Sequence, residues 1–381
     1  MASERDLHAK EKRRPGLSRT GESVDYPFLL LVLLLLTVGL AMLYSASYAQ
    51  SEYDTSYEIS TKYLQKQAVC AAIGLAAMFF FSRIPTGVWY GVSIALLLSV
   101  LVIGEEVNGA RRWINLAGIQ FQPSEIAKFT MILLFARLTR LYGQDAKTFR
   151  HGVLGFGLAL MGILVPLALE KHLSAIMLMG MVAVVMMFVA GTRTRWLLAG
   201  AGAAAVFVVV YVSFMGYAGD RVTAWLHPEL DPGDTGYQIL QSLYAIGSGG
   251  LFGLGYGKSR QKYLYLPFQY NDYIFAVICE ELGLVGAMAI VALFAVTILR
   301  GYWIALNARD RFSTVLAAGL VTLIAVQTIL NLCVVTNLLP STGIALPFFS
   351  YGGTALAVNL GEMGIVLGIS RGRNRRKIQE A

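Results

Sequence analysis

The chain alternates long apolar runs with short polar connections. Stretches dominated by Leu, Val, Ile, Ala, Met and Phe lie near 27–45, 64–82, 88–104, 124–141, 152–169, 173–191 and 195–215, and three more near 271–299, 312–334 and 343–369. A helix needs about 20 apolar residues to cross the hydrocarbon core of a bilayer. Runs of that length without two-residue alternation argue for helices rather than strands. The pattern predicts an all-α, polytopic membrane protein with ten transmembrane helices. An even count puts both termini on the same side.

Charge supplies the orientation. Basic clusters flank the apolar region, Arg5 to Arg19 and Arg371 to Lys377. With both clusters in the cytoplasm, 21 Lys and Arg fall inside and 9 outside, and Lys128 lies within a span. That asymmetry predicts an N-in, C-in topology. The first run follows a basic flank like a signal peptide, with Ser47-Tyr48-Ala49 as a weak cleavage site. At about 19 residues it is long enough to span, so it reads as an uncleaved anchor. The expected organisation is a basic cytoplasmic tail over 1–25, one transmembrane domain over 26–370, and a second basic tail over 371–381. Either tail suits free solvation or contact with anionic lipid.

Composition changes the meaning of the net charge of +8. Only 14% of the residues are charged and 56% are hydrophobic, against roughly 25% charged in soluble domains. The basic excess therefore reads as membrane orientation, and no nucleic-acid partner is expected. Cys70, Cys279 and Cys333 give neither a disulfide framework nor metal-binding spacing, and the four histidines are dispersed.

External positive charges concentrate in two connections, 105–123 and 216–270. The second, between spans 7 and 8, is far longer than any other and reads as an ordered functional loop. It leads into Asp272, predicted to lie in the first turn of the eighth span. Asp272 suits a helix-start carboxylate. It equally suits a general base whose pKa partial desolvation lifts towards neutrality. Glu280 and Glu281 follow within the same apolar run. Glu280 lies about 12 Å further along the helix, beyond the roughly 5–9.5 Å of a glycosidase carboxyl pair. Both glutamates read as structural, neutralised by Lys or Arg on neighbouring spans.

Two further constellations stand out. In Asn108 to Lys128, Glu125 and Lys128 share a helix face three residues apart, which suits an ion pair. Arg111 and Arg112 beside Trp113 suit bidentate capture of a diphosphate. The last apolar region is interrupted by Pro340, Gly343, Pro347, Gly352 and Gly353. That pattern fits irregular backbone lining a cavity or a kinked, closely packed helix. No phosphate-binding loop, dinucleotide fingerprint or Ser-His-Asp arrangement is evident.

Together these segments resemble the SEDS family (shape, elongation, division and sporulation), whose members include FtsW, RodA and SpoVE. The resemblance rests on Gly39 to Ser47, Asn108 to Trp113, Gln122 to Lys128, Gly236 to Gly250 and Leu346 to Gly353, in the family's order. Gly253 to Pro267 is more similar to FtsW and SpoVE than to RodA. Two departures occur. Phe268 and Tyr270 stand where the family usually carries Leu-Pro-Glu-x-His before Asn/Thr-Asp. Glu170 to Ser174 replaces a common Pro-Asp-Leu-Gly-Thr.

The resemblance implies a peptidoglycan glycosyltransferase of the bacterial cell membrane, with its active site on the extracytoplasmic side. Such an enzyme polymerises lipid II into β-1,4 glycan by inverting transfer and releases undecaprenyl diphosphate, in cell division or sporulation. Asp272 matches the family's essential aspartate and is the expected base. Arg111, Arg112, Lys128, Gln122 and Ser350 form the expected substrate-binding set, with Glu125, Glu280 and Glu281 as structural polar residues. A divalent cation, Mg or Mn, is compatible with this chemistry, and no organic cofactor is expected. The expected partners are a class B penicillin-binding protein and other divisome or elongasome membrane proteins. The rival expectations are a lipid II flippase and a non-catalytic scaffold for the penicillin-binding protein. An aspartate at the outer end of a span favours catalysis over transport.

Overall fold

The computed structural model describes residues 24–55, 59–81, 99, 104–107, 110–116, 119–170, 172–202, 222–230 and 236–380. The N-terminal tail, most of the apolar run near 88–104 and the second half of the run near 195–215 lie outside the described residues.

Helix α1, Tyr26–Asp54, opens on Asp25, whose carboxylate accepts from the backbone N–H of Phe28 at 3.1 Å. The same carboxylate takes a bidentate bond from Arg300, at 3.0 and 2.9 Å. Helix α2 spans Lys62–Phe81. The connection after it departs from the all-α expectation. Strands β1 (Glu105–Val107), β2 (Ala110–Leu116) and β3 (Ile119–Phe121) form an antiparallel three-stranded sheet, with Val107 opposite Ala110 and Leu116 opposite Ile119. Asn108-Gly109, between the first two strands, is the strongest short hairpin signal a sequence carries.

Helix α3, Pro123–Tyr142, starts with proline in its first turn, where the missing N–H costs nothing. A π-helical turn, Arg150–Gly155, leads into α4, Phe156–Leu169. Helix α5 spans Leu173–Val189, and α6, Tyr237–Ser248, lies within the long connection. Helix α7 spans Ile274–Leu306 and is broken by Gly283 at φ 67°, ψ −171°. Helix α8, Arg311–Val335, is capped by Asp310, which accepts from Ser313 N–H at 3.1 Å. Helix α9 spans Gly353–Glu380. Two expectations are corrected here. Asp272 lies in a turn ahead of α7 rather than in its first turn, and the run near 343–369 is helical only from Gly353.

Among the described residues, five helices are long and apolar enough to cross a membrane: α1, the π turn with α4, α7, α8, and α9 to Arg371. The chain is a multi-pass membrane protein. Helix α8 is the most enclosed of these spans and packs against α3, α5, α7 and α9. Leu284, Val285, Met288 and Leu299 of α7 are exposed, as an apolar face turned to lipid tails should be.

The long connection is fastened to the N-terminal part of α7. Glu281 accepts from Lys262 Nζ at 3.0 Å and from Ser45 Oγ at 2.7 and 2.8 Å. Glu280 accepts from Ser259 Oγ and from the backbone N–H of Arg260 at 3.0 Å. The expectation that Lys or Arg of neighbouring spans neutralises both glutamates is therefore corrected. The cation comes from the loop, and α1 contributes only a hydroxyl. Backbone bonds continue the attachment: Leu254 N–H to Glu280 O at 2.9 Å, and Leu284 N–H to Gly250 O at 2.9 Å. A Cβ on Gly283 would lie 2.3 Å from Gly253 N. The loop thus fits only against glycine at the break.

Candidate active site

One cavity of about 1030 Å³ gathers residues from α2, β2, α3, α5 and the two irregular segments around Asp272 and Ser350. Its walls carry four cationic side chains, Lys62, Lys66, Arg112 and Lys128, and two acidic ones, Glu125 and Asp272. That balance favours an anionic ligand, most strongly where low-dielectric walls focus the field.

Asp272 is placed by its backbone. Asn331 of α8 donates through Nδ2 to Asp272 O at 2.7 Å and to Ile344 O at 2.8 Å. One buried amide thus ties the aspartate to the irregular segment before α9. Gly343 adopts φ 67°, and a Cβ there would stand 3.9 Å from Asp272 Oδ2. Of the two readings open for this segment, the structure gives the cavity-lining one.

Ser350 lines the cavity, and its hydroxyl accepts from the N–H of Leu346 at 2.8 Å. Its carbonyl accepts from Gln67 Nε2 at 3.1 Å, while Gln67 Oε1 accepts from Gly352 N–H at 3.2 Å. Gln67, fully buried on α2, thus pins the segment that closes the cavity. A single glutamine in an apolar run gave no signal of this, because its partners lie at the other end of the chain.

Lys128 and Glu125 form a buried ion pair at 2.7 Å, and both line the cavity with Gln122 and Arg112. The side chain of Arg111 lies outside the described residues. Glu362 on α9 was not anticipated from sequence. It is buried, neither carboxylate oxygen has a hydrogen-bond partner among the described residues, and it interacts electrostatically with Lys128 and Glu125. An ionisable group enclosed at membrane depth is costly to keep.

The divergent segment Glu170 to Ser174 also reaches the cavity, through His172 and Ser174. Burial lifts the Glu170 carboxyl to about 7, against the opposing pull of Arg112. Burial, then the positive charges of Arg112 and Lys128, push His172 down to about 3. His172 is therefore neutral at physiological pH.

The structure thus defines a multi-pass membrane protein with Asp272, Arg112 and Lys128 on the walls of one cavity. The family model described as "Cell cycle protein", covering FtsW, RodA and SpoVE, matches residues 26–375, and the chain belongs to this family. A probable peptidoglycan glycosyltransferase FtsW of Geobacter sulfurreducens is 38% identical over 92% of this chain and 95% of its own length. Stage V sporulation protein E of Bacillus subtilis is 39% identical over 92% and 97%. A chain from a peptidoglycan synthase complex that coordinates polymerization and crosslinking superposes with a TM-score of 0.77 and 28% identity, over 92% of this chain and 98% of that one. The rod shape determining protein RodA of Thermus thermophilus superposes at 0.67, with 28% identity and the same coverage.

Proposed function

We propose that this protein is a peptidoglycan glycosyltransferase that polymerises lipid II. The observation that carries the reading is the single cavity joining Asp272 to Arg112, Lys128, Gln122 and Ser350, in a chain whose relatives carry that name. Asp272 takes the proton from the 4-hydroxyl of the acceptor sugar, and the freed oxygen attacks the anomeric carbon of the donor. The bond from that carbon to the diphosphate breaks, and its electron pair leaves with undecaprenyl diphosphate. One displacement inverts the α donor to a β linkage. Arg112 and Lys128 face the charge that grows on the leaving group, where fixed cations in a dry site act most strongly.

The ten-span, N-in, C-in topology with tails at 1–25 and 371–381 belongs to this reading. So does an extracytoplasmic cavity in the bacterial cell membrane. The partner it supports is a class B penicillin-binding protein, since a structural neighbour comes from a synthase complex that couples polymerization to crosslinking. Among the described residues no three His, Cys, Asp or Glu converge as a metal cage. A Mg or Mn ion therefore fits this site only when carried mainly by the substrate's diphosphate, as Mg commonly is.

The test is polymerisation of purified lipid II by the full-length protein. Asp272→Asn is expected to lower the rate by about 100- to 10,000-fold, the usual worth of a general base, while lipid II binding persists. Polymer formation at the wild-type rate by that variant overturns Asp272 as the base, and absence of polymer with the wild-type protein favours a flippase or scaffold.

A further inference from the structure

Tyr270, two residues before Asp272, belongs to a cluster that the proposed chemistry leaves unused. Its ring lies 4.5 Å from that of Tyr63, centroid to centroid, and 5.9 Å from that of Tyr351. Tyr63 and Tyr351 meet edge to face at 4.9 Å. All three rings are half-buried and line the cavity.

The cluster is rigidly built. Tyr351 N–H donates to Tyr270 O at 2.8 Å, which joins the two irregular segments. The Tyr63 hydroxyl donates to Asp54 and lies 3.3 Å from the Tyr270 hydroxyl. The phenol tips of Tyr63 and Tyr270 are thus occupied with one another and with Asp54. Phe268 completes the wall: it is half exposed, lines the same cavity and holds φ at 54°. A bulky side chain in the left-handed region is strained backbone, of the kind retained at ligand clamps.

An aromatic wall in a cavity that also carries Lys66, Asn271 and Asp272 calls for a ligand that is apolar on its faces and polar at its edge. A pyranose ring is such a ligand: its axial C–H bonds pack on a π face by dispersion and against the ring quadrupole. Its hydroxyl and acetamido groups then point sideways to polar neighbours such as Asn271 and Lys66, which line the same cavity. If Asp272 is the base, the attacked hydroxyl lies within hydrogen-bond reach of it, so the sugar bearing that hydroxyl lies beside Tyr270.

We infer that Tyr270, Tyr63, Tyr351 and Phe268 form the subsite for the acceptor's N-acetylated aminosugar rings, with Tyr270 positioning the acceptor hydroxyl on Asp272. This rests on the glycosyltransferase reading and adds what the residues replacing the family's usual Glu-x-His do in this chain.

The test compares binding of lipid II with binding of undecaprenyl diphosphate, which has the same anionic tail and no sugar. Full-length protein carrying Asp272→Asn is used, so that no turnover occurs. Tyr270→Leu is expected to weaken lipid II about tenfold and leave undecaprenyl diphosphate within about twofold, as loss of one aromatic contact to sugar predicts. Tyr270→Phe, which keeps the ring, restores lipid II binding. Phe268→Ala, at an exposed position that folding tolerates, reproduces the sugar-selective loss if Tyr270→Leu does not fold. Equal weakening of both lipids, or no weakening in either variant, overturns the inference. Loss in Tyr270→Phe as large as in Tyr270→Leu also overturns it and assigns the binding to a hydrogen bond of the hydroxyl rather than to the ring. Failure of the catalytic reading shows separately, as polymer made by Asp272→Asn.

Discussion

Glu170 makes Arg112 sensitive to pH. Its carboxyl, lifted by burial to about 7, binds a proton in the folded state that the unfolded chain has already lost. Its contribution to stability is therefore full at pH values below the ordinary glutamate pKa and is lost as pH rises through about 7. The same ionisation places a negative charge next to Arg112, where it competes with a phosphate. The Michaelis constant for lipid II is expected to rise as the assay pH passes from about 6 to about 8, and Glu170→Gln should flatten that rise. A rise of equal size in Glu170→Gln would assign the effect to another group. At this scale the sequence was informative where partners are close in the chain, as with Glu125 and Lys128. It was silent on Gln67 and Glu362, whose neighbours come from distant segments and follow only from how the helices rotate against one another.

At the scale of elements, loop and helix act through buried polar bonds. Lys262 and Glu281 are almost fully enclosed, so removing either partner strands a charge. Lys262→Met or Glu281→Gln alone is expected to cost about 3–5 kcal/mol, whereas Lys262→Met combined with Glu281→Leu should recover much of that loss. Thermal unfolding in detergent checks both outcomes. Equal destabilisation by the single and double changes would show that the pair contributes through packing alone. The carboxylates stood out in the sequence as charges within an apolar run. Their partners did not, because the loop folds back onto its own helix by way of glycines at 250, 253 and 283, each with positive φ. The small sheet over 105–121 escaped for another reason: its strands of three, seven and three residues are too short for any periodicity to emerge.

Over the whole molecule the apolar runs were the strongest signal. They matched α1, α3, α4, α5, α7 and α8 to within a few residues at most ends. They overran where the last region stays irregular to Gly352, since Ile344, Leu346, Phe348 and Phe349 keep that segment apolar without making it helical. Length and hydropathy say nothing about side, so the topology is tested separately. In intact cells a membrane-impermeant maleimide is expected to label Phe252→Cys, which stands on an exposed loop position. Ala381→Cys should react only after the membrane is opened. The reverse pattern would invert the N-in, C-in arrangement and remove the extracytoplasmic site.

Gly283 divides α7 into two rods. The shorter rod follows the turn that carries Asp272 and holds the loop, from the Leu254–Glu280 backbone bond to the Lys262–Glu281 pair. The longer rod exposes an apolar side. The loop is bonded on both sides of the glycine, to Glu280 and Glu281 before it and to Leu284 and Val285 after it, so it braces the break. Any displacement of the loop is therefore shared between the turn that carries Asp272 and both halves of the broken helix.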